Sequence, residues 1–419
     1  MVKLKQIRVD GYKNLIGAVL DLGDFNVLVG PNNSGKSNLL EARQILWPIC
    51  FGDDKLREQI FKGLTPPPRF GFSICHLEKH KYKPLTIGVA FELTIGDQLW
   101  KVDYEVKIQC IPSHEKEQKT KAGFVSERLI AKNPSATGPA RAYISREEKD
   151  LKVLDSSERP IAKENSSLLA VRSIYPDFQG LPSELKAFVE AIETIADANI
   201  FALSPKGMRQ NLNTEKPVSS LQVSSFGVLL VIDEIQKQGK YYELFKETVC
   251  DILDLEDLHL LTRDIHAPGK TGESKEKGKR VRFLFVKRRG AENSFVEEYS
   301  DGTFAVVSIL AALLSEKVRG PIMYIEEIEN YLHPVAIDKL LRFLQDNADR
   351  WPVLITTHSP YLLNCVKNHE SVKVAVVDET GAARFVPVLN TKQLRDYLKS
   401  GFMSFGDMLA SNFEDVLRK

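Results

Sequence analysis

The sequence has almost no net charge. Its 57 lysines and arginines stand against 56 acidic residues, leaving +1. No global field therefore draws the protein to nucleic acid or to an anionic membrane, and any such contact must come from a local patch. It also lacks an apolar run long enough to span a bilayer. The lysines of Met1-Val-Lys-Leu-Lys-Gln6 are not followed by the apolar core of a secretory leader. Neither a membrane nor a secreted protein is expected. Cysteine is scarce: Cys50, Cys75, Cys110, Cys250 and Cys365 are odd in number, and no Cys-x-x-Cys occurs. That excludes a disulfide framework and favours free thiols in a reducing, cytoplasmic setting. There is no internal repeat and no heptad run long enough for a coiled-coil arm.

What is present is the balance of a globular protein with a sizeable core, 43% hydrophobic and 27% charged over 419 residues. Lys3–Val9 and Val19–Leu22 alternate like strands, and Phe25–Val29 is a continuous apolar run, the pattern of a strand buried on both faces. A helix is expected over Ser37–Leu46, ending before Trp47-Pro48. Leu85–Leu93 and Leu99–Ile108 read as a hairpin about Gly96-Asp97. Residues 111–165 read as a long polar excursion with short strands near Glu127–Ala131 and Leu151–Leu154. Helices are expected at Glu184–Ala198, Val228–Gln236 and Tyr241–Leu253, forming an inserted lobe that either docks a partner or completes the core. Strands resume at Val281–Val286 and Ser294–Glu298. Then come a helix from about Gly302 to Lys317, a buried strand at Ile322–Ile325, a helix at Ala336–Asp346 and a buried strand at Val353–Thr356. Short apolar strands alternating with helices indicate an α/β core with a largely parallel sheet.

Gly30-Pro-Asn-Asn-Ser-Gly-Lys-Ser37 matches the P-loop pattern G-x-x-x-x-G-K-S/T between a buried strand and a helix. Glycines let the backbone curl so that successive N–H groups face a phosphate, and the helix N-terminus adds favourable dipole charge. Gly30, Pro31, Asn32, Asn33, Ser34, Gly35, Lys36, Ser37 and Asn38 are thus the candidate ATP-binding residues. Lys36 should reach the β- and γ-phosphates, and Ser37 should ligate Mg²⁺. In Ile322-Met-Tyr-Ile-Glu326-Glu327 a buried strand ends in two carboxylates. Glu326 suits a Mg²⁺ held through water, and Glu327 suits orientation or deprotonation of the attacking water. The plainer alternative is a solvated acidic helix start. His358 ends the strand Leu354-Ile-Thr-Thr-His358, where ligand-facing residues of open α/β sheets sit. It can hydrogen-bond a γ-phosphate or the lytic water, or be a satisfied core or capping histidine.

These motifs resemble those of ABC-type ATPases. Gly30–Ser37, Ser300-Asp-Gly-Thr303, Ile325-Glu-Glu-Ile-Glu-Asn-Tyr-Leu-His-Pro334 and Thr357-His-Ser-Pro360 occur in the order of the Walker A, signature, Walker B/D-loop and switch-histidine motifs. The set is most similar to the RecF/SMC-like and OLD-like branch, the AAA15 and AAA21 families, and covers about residues 1–50 and 280–365. A weaker echo is Ser225-Phe-Gly227. Gly11-Tyr-Lys-Asn-Leu15 resembles that group's N-terminal turn, which places Lys13 and Asn14 near the nucleotide. The resemblance implies an α/β fold: a P-loop NTPase head of ABC type with an antiparallel β subdomain and an inserted helical lobe. Residues 1–110 and 276–419 would form the head and 111–275 the insertion. It also implies head-to-tail pairing in a homodimer or higher homo-oligomer, Ser300 and Gly302 contacting the γ-phosphate in trans, and His333 near the seam. Departures exist. The metal-side acid is glutamate rather than aspartate, Ile328 replaces a frequent proline, and the signature lacks the second glycine of transporter ATPases. The motifs assign no Q-loop glutamine, and Gln44, inside the first helix, is a poor candidate. Roughly sixty residues follow His358, too few for the TOPRIM nuclease of many OLD-like proteins.

Lys270–Arg289 holds nine basic residues. It reads either as a nucleic-acid patch or as a solvated hairpin tip diluted by Glu273 and Glu276, with no aromatic ladder beside it. Cys75, His76 and His80 lack a fourth ligand with zinc spacing. The aromatic-rich Leu394–Lys419 either packs on the head or forms a docking surface. The functions expected are an ATP-driven dimer switch in a prokaryotic defence or toxin-like system, governing a separate nuclease or toxin effector, or a RecF-type DNA-maintenance ATPase that clamps DNA itself. A transporter ATPase fits the signature and the large insertion poorly.

Overall fold

The computed structural model describes residues 2–53, 55–56, 77–78, 81–82, 84–111, 121–135, 137–147, 150–153, 183–197, 200–202, 227–265, 279–388 and 404–407. Strand β1 (Val2–Asp10) turns through Gly11–Leu15 into β2 (Ala18–Asp21). β3 (Phe25–Val29) then feeds α1 (Lys36–Cys50). β4 (Leu77–Glu78) and β5 (Lys81–Tyr82) form a small ribbon. The expected hairpin is β6 (Leu85–Ile95) and β7 (Gln98–Ile111), closed at Gly96-Asp97. Next come β8 (Lys121–Lys132), β9 (Arg141–Glu147) and β10 (Asp150–Val153). α2 (Ser183–Asp197), β11 (Ile200–Ala202), α3 (Val228–Gln238) and α4 (Tyr242–Leu253) precede β12 (Asp257–Ile265), β13 (Lys279–Lys287) and β14 (Ser294–Phe295). The last part is α5 (Asp301–Leu314), α6 (Glu316–Arg319), β15 (Met323–Glu326), α7 (Pro334–Asp346), β16 (Val353–Thr357), α8 (Pro360–Asn364), β17 (Val372–Val377) and β18 (Ala383–Pro387).

The central sheet has the order β11-β15-β16-β3-β17-β18, parallel except for β18. Its strands are apolar without alternation because each side chain in turn enters one of two cores. Val27, Val29, Met323, Ile325, Val353 and Ile355 face one, packed with α3, α4, α5 and α7. Leu28, Tyr324 and Leu354 face the other, shared with α1, α2 and an antiparallel sheet of order β10-β9-β8-β7-β6-β1-β2. The middle helices therefore complete the two cores: α2 packs on α1, and α3 and α4 pack on α5. α5 is buried almost all round, from Thr303 to Leu314, as befits a helix enclosed by neighbours.

Three sequence expectations need correction. α1 does not stop before Trp47-Pro48 but continues to Cys50. Pro48 removes one donor near the helix end, where Phe51 N still reaches Trp47 O at 2.8 Å, and burial of Leu46, Ile49 and Cys50 outweighs that loss. The polar excursion after residue 110 holds long strands. β8 pairs with β7 over Lys101–Ile111, so cross-strand pairing overrides its weakly apolar composition. Ser294–Glu298 is strand only at its first two residues, and Val296–Glu298 form a 3-10 turn. At the C-terminus Phe405 is buried and stacks on His369 with ring centroids 4.1 Å apart, so this aromatic packs on the head. Tyr397, Phe402, Phe413, Cys75, His76, His80 and Ser225 lie outside the described residues.

Candidate functional site

Parallel register brings the chemistry together. β15, β16 and β3 are neighbours, with Glu326 opposite Thr356 and Thr357 opposite Val29. Their C-terminal ends deliver Glu326-Glu327, Thr357-His358 and the Gly30 loop to one edge of the sheet, where open α/β sheets bind ligands. The resulting cleft, about 640 Å³, is lined by Lys13, Asn14, Asn32, Asn33, Ser34, Gly35, Lys36, Ser37, Asn38 and Glu327.

The loop is shaped as an anion cradle. Asn33 and Gly35 take positive φ of 64° and 97°, with Gly35 as the N-cap of α1. A β-carbon on Gly35 would meet Ala383 Cβ at 2.7 Å and Asn14 Oδ1 at 3.2 Å, so glycine is required by space as well as by φ. The first turn of α1 carries no acidic residue, leaving its dipole free for an anion. Lys36 folds over the loop, its Nζ donating to Gly30 O at 2.7 Å and Pro31 O at 2.9 Å. Burial lowers its pKa, and Glu327, Glu326 and Glu329 act in opposition. Ser34 Oγ is buried without a hydrogen-bond partner inside the loop. Ser37 Oγ donates to Glu326 Oε1. An orphaned hydroxyl, a lysine resting on carbonyls, and a serine paired with a carboxylate form a donor set that fits a Mg²⁺-bound nucleotide phosphate.

Glu327 is the most constrained of the acids. It stands in the left-handed region at φ 49°, where non-glycine residues are uncommon and the backbone is strained. Its N–H bonds to Thr356 O at 3.0 Å and to Thr356 Oγ1 at 3.2 Å. Asn330 Nδ2 donates to its Oε2 at 2.7 Å, and His358 Nε2 lies 3.0 Å from Oε1. A carboxylate braced on both oxygens can take a proton from a water placed before it. Glu329, to which the sequence assigned no role, accepts from Thr357 Oγ1 at 2.7 Å and from His358 N at 3.0 Å, fixing the turn that carries the histidine.

At the N-terminal turn, Lys13 Nζ bonds Glu41 Oε2 at 2.5 Å and Asn38 Oδ1 at 3.2 Å. Asn14 receives Asn38 Nδ2 at 2.7 Å and donates to Asn33 O at 3.2 Å. Ser300 caps α5, its Oγ accepting from Thr303 N at 3.4 Å. Gly302 lies against the segment after Glu327: a β-carbon there would meet Tyr331 O at 2.6 Å. Neither Ser300 nor Gly302 lines the cleft of its own chain. His333 caps α7 and is exposed, as are Tyr331, Val335 and Tyr361 around it. Gln44 is buried in α1.

The family model described as "AAA domain, putative AbiEii toxin, Type IV TA system" matches residues 25–364, from β3 through His358 to α8. The chain belongs to the AAA_21 family. AAA_21 proteins are ATPases of the P-loop class, and this AAA_21 chain has a mixed α/β fold of the SMC-head type. A crystal structure of the SmcHead bound to the C-winged helix domain of ScpA superposes with a TM-score of 0.52 at 12% identity, over 94% of this chain and 99% of that one. The Smc head with an extended coiled coil bound to the C-terminal domain of ScpA, derived from Pyrococcus furiosus, gives 0.46 at 12% identity over 96% and 100%. The SMC head domain from Thermotoga maritima gives 0.44 at 12% over 93% and 100%. No curated protein matches the sequence of this chain. Among its described residues no helix is long and apolar enough to cross a membrane.

Proposed function

We propose that this AAA_21 ATPase is a nucleotide-driven switch in which ATP closes two heads of the same chain and hydrolysis releases them. The reading rests on one arrangement: Glu327, strained and braced by Asn330 and His358, faces the Lys36–Ser37 loop across a single cleft. Lys36 leaves the Gly30 and Pro31 carbonyls for the β- and γ-phosphates. Lys13, Asn14 and Asn38 line the same cleft. Ser37 and Glu326 would hold Mg²⁺, which when bound neutralises phosphate charge and fixes the γ-phosphoryl group for in-line attack. Glu327 orients and deprotonates the attacking water, and His358 Nε2, set against Glu327, is the donor that would pass to the γ-phosphate.

The dimer is favoured by what this cleft does not contain. Gly302, at the N-terminus of a long buried helix, lies against the Tyr331 segment, Ser300 caps that helix, and neither lines the P-loop cleft of its own chain. Tyr331, against Gly302, is exposed, as are Val335 and Tyr361 beside the His333-Pro334 turn, the composition of a surface awaiting a partner. The solution mass of Glu327→Gln with and without Mg-ATP tests this, and a doubling with ATP is expected. A mass that ignores ATP defeats the closing dimer while leaving the ATPase site intact. The division into head segments 1–110 and 276–419 with insertion 111–275 belongs to the same proposal.

The biological role we infer is control of a separate effector, nuclease or toxin, in a prokaryotic defence system. Support comes from the toxin–antitoxin name of the family and from an SMC head of this fold that binds ScpA. A co-purifying neighbour without such activity counts against it. The basic run 279–289 favours a second reading, a RecF/SMC-like DNA clamp. Duplex binding that weakens when Lys287, Arg288 and Arg289 are neutralised separates the two.

A further inference from the structure

We propose that the outer face of the β12-β13-β14 sheet binds single-stranded nucleic acid by stacking unpaired bases on its aromatic side chains. The two faces of this sheet have opposite characters. Leu258, Leu260, Leu284 and Val286 point inward and belong to the core shared with α3, α4 and α5. Alternation sends the residues between them outward. Cross-strand register sets His259 opposite Phe285 and Phe285 opposite Phe295, with Leu261 opposite Phe283. His259 stacks on Phe285 with centroids 5.0 Å apart and planes 13° from parallel. Phe285 and Phe295 are 4.9 Å apart, and Phe283 and Phe295 5.8 Å. The rings form one ledge drawn from three strands, which a linear reading of residues 270–289 does not reveal.

The ledge is not a core. The His259 side chain is 43% exposed and Phe295 37%, while Phe283 and Phe285 are half-buried. Its border is cationic: residues 279–289 carry six lysines and arginines and no acid. The structure sorts these. Arg282 points inward to Asp233 at 2.8 Å and is unavailable. Lys287 sits at the ledge's end and pairs with Glu256 at 2.9 Å, and Arg288 lies over the Tyr299 ring at 4.7 Å. Arg263, at the other end beside Val281, and Arg289 are exposed. Asp257, on the same face, is held by Lys246 at 2.7 Å and lies 3.7 Å from His259 Nδ1. An aromatic ledge between cations suits a strand whose bases are free to stack, whereas a duplex hides its base faces. None of these residues lines the nucleotide cleft, so the inference stands apart from the switch reading.

The test is fluorescence anisotropy of a labelled oligothymidylate of about 12 nucleotides with the full chain, titrated in salt from about 50 mM upward. Binding is expected. The double variant Phe283→Ala/Phe285→Ala should weaken it about tenfold or more at unchanged salt slope. Phe283→Trp/Phe285→Trp should retain it. Arg263→Gln/Arg289→Gln should flatten the salt slope by about 1.4. ATP turnover reports that each variant is folded. If the alanine pair does not fold, Phe295→Ala, at the exposed edge of the ledge, decides by the same loss. The proposal is overturned if the wild type does not bind at low salt, if the alanine variants bind like wild type, or if a duplex of equal length binds as tightly.

Discussion

Lys36 donates hydrogen bonds to two carbonyls of its own loop, and the proposed function gives that ammonium to the nucleotide phosphates. Lys36→Ala should abolish nucleotide binding or turnover, measured by nucleotide titration and phosphate release. Unchanged turnover would remove the assigned role. Glu327→Gln keeps the Asn330 contact, since an amide oxygen still accepts, but it cannot take a proton. ATP binding should persist while turnover falls about 10²–10⁴-fold. Normal turnover would transfer the catalytic task to Glu326 or another group. His358→Ala removes the contact at Glu327 Oε1 and should slow hydrolysis while leaving ATP affinity unaltered. A wild-type rate would make His358 a structural residue only.

At the scale of elements, the sequence carried the parts that depend on local chemistry. The P-loop, the acidic end of β15 and the histidine after β16 are contiguous motifs, each at a strand end, and continuous apolar runs marked the strands that enter both cores. What it hid depends on pairing across the chain. β8 is a long strand only because β7 lies beside it. Glu329 and Asn330 stood inside a motif already noticed, but only the folded turn aims one at the His358 loop and the other at Glu327. Arg282 looked like one more surface cation, yet it joins β13 to α3 through Asp233. Burial alone would raise the Asp233 carboxyl, but hydrogen bonds from Lys237 and Arg282 and their charge outweigh it and hold its pKa below the ordinary value. The sign follows: a depressed folded pKa gives stability that is present above the ordinary carboxylate pKa and is lost as pH falls through the folded one. Asp233→Asn should cost about 3 kcal/mol, because it takes the carboxylate charge away from the buried Arg282. Urea denaturation at neutral pH measures this. The difference from wild type should shrink in acid, and a constant difference across pH would mean that the ion pair is not its source.

For the whole molecule, the question is whether one chain makes a complete catalytic site. If the signature acts in trans, Lys36→Ala spoils a chain's own P-loop and Ser300→Arg spoils the cap it offers to its partner. Each variant alone should then be inactive, because every site in its homodimer carries the defect. Mixed, they form heterodimers in which one site collects both defects and the other collects neither. With equal amounts and random pairing, half the dimers are mixed and one of their two sites is whole, so about a quarter of wild-type turnover should return. Substitution of Ser300 also removes the Oγ cap of α5, worth about 1 kcal/mol, so a melting curve must first show Ser300→Arg to be folded. Recovery cannot come from two chains that each complete their own site, since neither variant then holds a working one. Mixtures as silent as the separate variants would place the whole chemistry within a single head and leave Gly302 as a packing contact for Tyr331.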